Sequence, residues 1–242
     1  MIFSANTDIG LKRKINQDGY NFKAFGDECA WIVVCDGMGG MAAGNIASAE
    51  TVKLLSRSLN DNLSQRSSGE FIRNLLKSSI ESANAAVFEE ASNSAELKGM
   101  GTTVVCAVIL NGVCYVAHAG DSRLYRFHNG VLNQVTTDHS VVQTMVDSGQ
   151  LTEEQAKSHP NKNIITRAVG VHSNIEIDFD EFDVFDSDVI LLCTDGLTNC
   201  VSDEEIVSVI ENEDFNCTAE RLTEIANNNG GFDNSTVVVV KI

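Results

Sequence analysis

Residues 102–135 read TTVVCAVILNGVCYVAHAGDSRLYRFHNGVLNQV. Two strand-like runs, 102–110 and 113–117, flank Asn111-Gly112, and two more, 124–127 and 131–135, flank Asn129-Gly130. An Asn-Gly pair between such runs signals a two-residue type I′ hairpin, because both central residues must adopt φ > 0. Two hairpins in succession predict antiparallel sheet. They argue against a doubly wound parallel fold, in which helices join the strands.

Helical patterns lie on both sides of the hairpins. Residues 44–59 are rich in Ala and Leu and free of Pro, and Ile72, Leu76, Ile80, Ala83 and Val87 mark one face of a second helix. Downstream, Val141, Val142, Met145 and Val146 predict a short helix ended by Gly149. Thr152 with Gln155 and Ser202 with Glu205 have the spacing of capping boxes. A last helix is expected over 218–227, ended by Gly230-Gly231. Central hairpins with helices before and after predict an α+β layered fold. No Pro-, Ser- or Gly-rich linker divides the 242 residues, so a single domain, 1–242, is expected.

The stretch 32–40, IVVCDGMGG, is an apolar strand expected to stop at Asp36 and Gly37, with Gly39 and Gly40 turning into a helix near Ala42. An ionised carboxylate at the end of an apolar strand is costly unless a cation or hydrogen-bond donors compensate it. One Asp-Gly after a strand is usually a plain turn. The pattern recurs, however. Asp195 ends the run VILLCTDG at 189–196, Asp233 precedes TVVVV at 236–240, and Asp121 follows the strand-like run 113–117. Aspartates gathered at strand ends suit hard cations such as Mg²⁺ or Mn²⁺, which prefer oxygen ligands.

Composition narrows the functional classes. Thirty-four acids against 17 bases give a net charge of −17, which repels nucleic acid and anionic membranes. No run of 18 apolar residues predicts a membrane span. The start, MIFSANTDIG, lacks the basic and apolar pattern of a secretory signal. Of seven cysteines, Cys35, Cys106, Cys114 and Cys193 lie within strand-like runs as small hydrophobes. A reducing cytoplasm is the expected location.

Six motifs then occur in order: Asp8-Ile9-Gly10 with Arg13 and Asn16-Gln17-Asp18, Asp36-Gly37-Met38-Gly39-Gly40, Gly99-Met100-Gly101-Thr102-Thr103, Gly120-Asp121-Ser122-Arg123, Thr194-Asp195-Gly196, and Asp233-Asn234-Ser235-Thr236. Together they resemble the bacterial branch of the metal-dependent protein phosphatase 2C family of serine/threonine phosphatases, over nearly the whole chain. The resemblance implies a sandwich of two antiparallel β-sheets flanked by α-helices, with a two-metal site at one end. It implies that Asp36 bridges two Mn²⁺ or Mg²⁺ ions, that the Gly37 carbonyl binds one, and that Asp195 and Asp233 hold the other. Asp121 would help Asp195 hold a weaker third ion. Asp18 would act on metal-bound water and Arg13 would bind the substrate phosphate, which makes Arg13, Asp18 and Asp36 the expected catalytic residues. Residues 139–170 would form a flap. The implied partners are phosphorylated Ser/Thr proteins and a cognate Ser/Thr kinase, with the phosphatase itself monomeric.

Three positions depart from the family pattern. Gln17 stands where many relatives carry Glu, Met38 where eukaryotic members carry His, and Met41 where some bacterial members do. Protonation of the leaving oxygen would then fall to metal-bound water. Two other readings compete. Residues 37–42 satisfy G-x-G-x-x-G/A and would suit a dinucleotide-binding turn, although Asp36 would face the pyrophosphate. A catalytically inactive binding module is the other, and the retained acids count against it.

Overall fold

The computed structural model describes residues 1–39 and 43–242. The two Asn-Gly turns form as the sequence predicts. Strands β5 (Val104–Leu110) and β6 (Val113–Ala119) pair antiparallel across Asn111 at φ 51° and Gly112 at φ 80°. Strands β7 (Arg123–His128) and β8 (Val131–Gln134) pair across Asn129 at φ 50° and Gly130 at φ 80°. The two hairpins belong to different sheets, so the short connector between them, which carries Asp121, crosses from one sheet to the other.

One sheet has the order β1 (Ile2–Asp8), β11 (Ser235–Lys241), β10 (Val189–Cys193), β7, β8. The other has the order β2 (Asp18–Ala24), β3 (Cys29–Met38), β5, β6, β9 (Asp178–Asp183), with the two-residue β4 (Gly101–Thr102) paired to the end of β3. All of these pairings are antiparallel. Strand β3 shows why the layers stack. Its Ile32 and Val34 enter the core between the sheets, while Trp31, Val33 and Cys35 face the helices. Each fully buried aliphatic side chain of this kind contributes about 1.5–3 kcal/mol.

Helices α1 (Ala43–Asn62) and α2 (Gly69–Asn93) cover the second sheet, and Ile72, Leu76, Ile80, Ala83 and Val87 are buried there. The first sheet is covered by α5 (Asp195–Thr198), α6 (Asp203–Asn212) and α7 (Thr218–Asn228). The result is the α/β/β/α sandwich that the resemblance implied. Between the hairpins and β9 lie α3 (Val141–Asp147) and α4 (Glu153–Lys157). The bridges Ser140↔Ile165 and Thr102↔Val169 tie this segment down. Both expected capping boxes are present, on α4 and α6.

Some expectations need correction. Strand β3 does not stop at Asp36 but runs to Met38, because Gly37 and Met38 pair with Thr102 and Gly101 of β4. The helix start expected near Ala42 and the glycine turn at Gly40 lie outside the described residues. Strands β1, β2 and β9 carried no clear sequence signal. All three are edge strands, and exposure leaves them polar, DFDEFD in β9 being the extreme case. The dinucleotide reading of residues 37–42 is contradicted by topology. Strand β3 lies between antiparallel β2 and β5, so no βαβ unit exists there.

Candidate active site

Antiparallel pairing sets the first two acids side by side, since Asp18 of β2 is the cross-strand partner of Asp36 of β3. The Asp36 backbone is pinned on three counts. Its N–H donates to Thr103 Oγ1 at 2.9 Å, and its carbonyl accepts from the Thr103 N–H at 2.9 Å and the Thr102 hydroxyl at 2.8 Å. Gly37 follows, where helix α1 passes so close that a Cβ would lie 2.1 Å from the Gly44 carbonyl oxygen. Only glycine fits that approach.

Asp18 Oδ2 accepts from the hydroxyls of Thr194 at 2.9 Å and Thr236 at 2.7 Å, which ties β2 to both β10 and β11. Asp195 opens α5, and its Oδ2 accepts from Asn199 Nδ2 at 3.0 Å. Asn199 Oδ1 in turn accepts from Lys162 Nζ at 2.9 Å, linking the 139–170 segment to this aspartate. Asp121, 9% exposed, sits on the connector between the sheets. The loop bearing Asp233 is fastened to the loop of residues 9–17 by buried Asn234. The Asn234 side chain donates to the carbonyls of Ile9 at 2.9 Å and Ile15 at 3.1 Å and accepts the Gln17 N–H at 2.9 Å. That fastening brings Arg13 onto Asp233, with Nη2 at 2.6 Å from Oδ2. The sequence offered no charge partner for Asp233. The structure supplies one.

Electrostatically the group is under-compensated. Burial, followed by the charges of Asp18, Asp195, Asp121 and Asp233, pushes Asp36 well above the usual carboxylate range. Asp18 is pushed up to about 7, chiefly by burial and against the two threonine hydrogen bonds. Burial and then Asp195 push Asp121 up to about 8, and burial and then Asp233 raise Asp195. Hydrogen bonding to Asp233 raises Arg13. Among the described residues, Asp18 Oδ1 and Asp195 Oδ1 are buried without a hydrogen-bond partner. Buried carboxylate oxygens without donors, beside other carboxylates, are a costly arrangement in a protein alone. Hard divalent cations remove that cost, so the residues present fit such ions.

The sequence placed Asp36, Asp195 and Asp233 at strand ends, and the structure brings them together with Asp18 and Asp121. It did not reveal the threonines on Asp18 or the Asn234 staple. Those partners are more than 170 residues from Asp18 and Gln17, too far apart for local pattern to signal. Among the described residues, no helix is long and apolar enough to cross a membrane.

Known proteins share this arrangement of chain. The family described as protein phosphatase 2C matches residues 12–235. Protein phosphatase PhpP of Streptococcus pneumoniae is 37% identical over 243 residues, covering 100% of this chain and 98% of its own. The S. agalactiae serine/threonine phosphatase superposes with a TM-score of 0.92 at 38% identity, covering 100% of this chain and 99% of its own. The catalytic domain of the serine/threonine protein phosphatase PstP, in complex with two manganese ions, superposes with a TM-score of 0.86 at 34% identity, covering 99% of this chain and 97% of its own. With the fold, the order of the motifs and near-complete coverage in agreement, the chain belongs to the protein phosphatase 2C family.

Proposed function

We propose that this chain is a metal-dependent phosphatase that hydrolyses phosphoserine and phosphothreonine in proteins. The observation that carries this reading is the convergence of Asp18, Asp36, Asp121, Asp195 and Asp233, with two buried carboxylate oxygens unpartnered among the described residues and Arg13 at the edge. Asp36, the Gly37 carbonyl, Asp195 and Asp233 would hold two ions, Mn²⁺ or Mg²⁺, and Asp121 with Asp195 a weaker third. Such cations, when bound, would lower the pKa of water and neutralise charge on the phosphoryl group.

The chain's own residues do the rest. Thr194 and Thr236 occupy Oδ2 of Asp18, which leaves Oδ1 to accept a hydrogen bond from the attacking water and orient it. The planar fork of Arg13 binds two phosphate oxygens at once, which a lysine cannot reproduce. In the structure this fork rests on Asp233, so the arginine stands at the border between cation and substrate. Met38 offers no proton to the leaving oxygen, so the alcohol is protonated from water.

The chain is read as one catalytic domain, with 139–170 as a flap over the substrate. All seven cysteines are free thiols, which supports action in a reducing cytoplasm. The chain is read as a monomer that acts against the products of a cognate Ser/Thr kinase. The test is hydrolysis of matched phosphoserine, phosphothreonine and phosphotyrosine peptides with added Mn²⁺. Preference for the first two supports the reading, and clear phosphotyrosine preference contradicts it.

A further inference from the structure

A second buried polar group lies at the base of the 139–170 segment. His139 is 7% exposed and stacks on buried His118, ring centroids 4.6 Å apart and planes within 9°. It closes both backbone groups of Gly120. The Gly120 N–H donates to His139 Nδ1 at 3.1 Å, and the His139 N–H donates to the Gly120 carbonyl at 2.9 Å. A ring nitrogen that accepts carries no proton, so the ring hydrogen belongs on Nε2, where it donates to Asp178 Oδ2 at 3.1 Å. Arg167 Nη1 donates to the other oxygen of Asp178 at 2.6 Å. Burial holds the His139 pKa below the usual imidazole value, against the pull of Asp178.

His118, His139 and Asp178 each place a potential ligand atom within 4.8 Å of the others. A cation there would meet the Arg167 guanidinium, which lies 3.0 Å from His139 Nε2 and already holds Asp178. Two nearly parallel, stacked imidazoles also cannot aim in-plane lone pairs at one ion. The group serves something else: it fixes Gly120. That glycine has φ +119°, and a Cβ on it would lie 2.6 Å from the Thr103 side chain. Thr103 Oγ1 accepts the Asp36 N–H and pairs with Ser122 Oγ at 2.6 Å. Asp121 lies between Gly120 and Ser122, so its backbone is clamped by His139 on one side and by Thr103 on the other.

We propose that His139 is a positioning residue for Asp121: by holding the Gly120 amide, its Nδ1 lone pair aims the Asp121 carboxylate and sets the occupancy of the weaker cation position shared with Asp195. The inference rests on the proposed metal-dependent reading and extends it to a residue outside the acid cluster.

Two substitutions separate the roles of the ring nitrogens. His139→Asn keeps an acceptor oxygen where Nδ1 sits, whereas His139→Gln loses it and keeps a donor for Asp178. The measurement is Mn²⁺ titration calorimetry on wild type and both variants, with thermal unfolding in EDTA as the folding control. The tight step should be unchanged throughout. The weaker step should stay within about threefold of wild type in His139→Asn and weaken about tenfold or more in His139→Gln, the usual cost of losing a partner outside the ligand set. Equal weakening in both variants, or none in His139→Gln, overturns the proposal, and so does a wild type without a weaker step. A tight step that disappears in Asp233→Ala leaves the metal-dependent reading standing in that last case, whereas no Mn²⁺ binding at all removes that reading itself. Should His139→Gln fail to fold, nitrogen NMR of the Mg²⁺-loaded wild type decides: a proton on Nε2 supports the proposal, and a proton on Nδ1 overturns it.

Discussion

Asp188 and Asp36 make an instructive pair. Asp188 is 2% exposed beside the Arg126 guanidinium, and Asp36 lies at the mouth of the sandwich among other acids. Burial alone raises a carboxylate pKa, yet Asp188 is held below the usual range, because hydrogen bonds from His128, the Phe185 N–H and Arg126 outweigh burial. Arg126 alone reaches Asp188 Oδ2 twice, at 3.0 and 2.8 Å. Asp36 moves the other way, raised first by burial and then by the acids around it. At Asp188 donors outweigh the cost of burial, whereas at Asp36 burial and like charges push the same way. Where a carboxylate is structural, this fold supplies its counter-charge from within. At the mouth, among the described residues, Arg13 on Asp233 is a partial answer to five aspartates, Asp18, Asp36, Asp121, Asp195 and Asp233, and the remaining charge is left for cations.

The comparison can be broken most forcefully at Asp36. Asp36→Asn removes the expected bridging ligand, and kcat on a phosphopeptide at saturating Mn²⁺ should fall by about a thousandfold or more. In EDTA the same variant should be more heat-stable than wild type, because the cost of seating that carboxyl among Asp18, Asp195, Asp121 and Asp233 has been removed. Near-normal kcat would remove Asp36 from the ligand set.

Asp188→Ala should do the reverse. It leaves Arg126 without its carboxylate and should cost about 3 kcal/mol in urea unfolding, with kcat per folded molecule unchanged. A loss under about 1 kcal/mol would mean that the two regions differ less than their partners suggest.

Arg13→Ala tests the border between them. KM on a phosphopeptide should rise and kcat fall, together about tenfold to a hundredfold in kcat/KM, and Arg13→Lys should recover part of it. Tight Mn²⁺ binding should not weaken in Arg13→Ala, because the substitution removes a competitor for Asp233. Unchanged kinetics would return Arg13 to an ordinary surface ion pair.

A last effect is one of pH. Raised carboxylates favour the folded state when protonated. That contribution is full below the unfolded value near 4 and is lost as pH rises through about 7 for Asp18 and about 8 for Asp121. Asp178 and Asp188, held low, have the opposite sign, and their contribution is lost as pH falls below about 4. Cation-free protein should therefore lose Tm between about pH 5 and 8, and Mn²⁺ should restore it. A Tm that rises over that interval in EDTA would contradict the assignment.

Much of this was legible in the sequence, for identifiable reasons. Asp36, Asp195 and Asp233 showed because each borders a long apolar run, and the hairpins showed because Asn-Gly turns are local chemistry. Asp18 begins an edge strand and had no such signal; only the resemblance pointed to it. The Arg13–Asp233 pair joins residues 220 apart, and the grip of His139 on Gly120 crosses from one hairpin's end to the base of the 139–170 segment. Contacts of that kind depend on how the layers close, which no local pattern encodes.

The central claim is that the acids at the mouth are left unbalanced for the sake of cations that make this a phosphatase. The most direct measurement is hydrolysis of a phosphothreonine peptide by protein exhaustively dialysed against EDTA, followed by stepwise return of Mn²⁺. The account predicts loss of activity to background and recovery that saturates with the ion. Activity that survives complete chelation would contradict it.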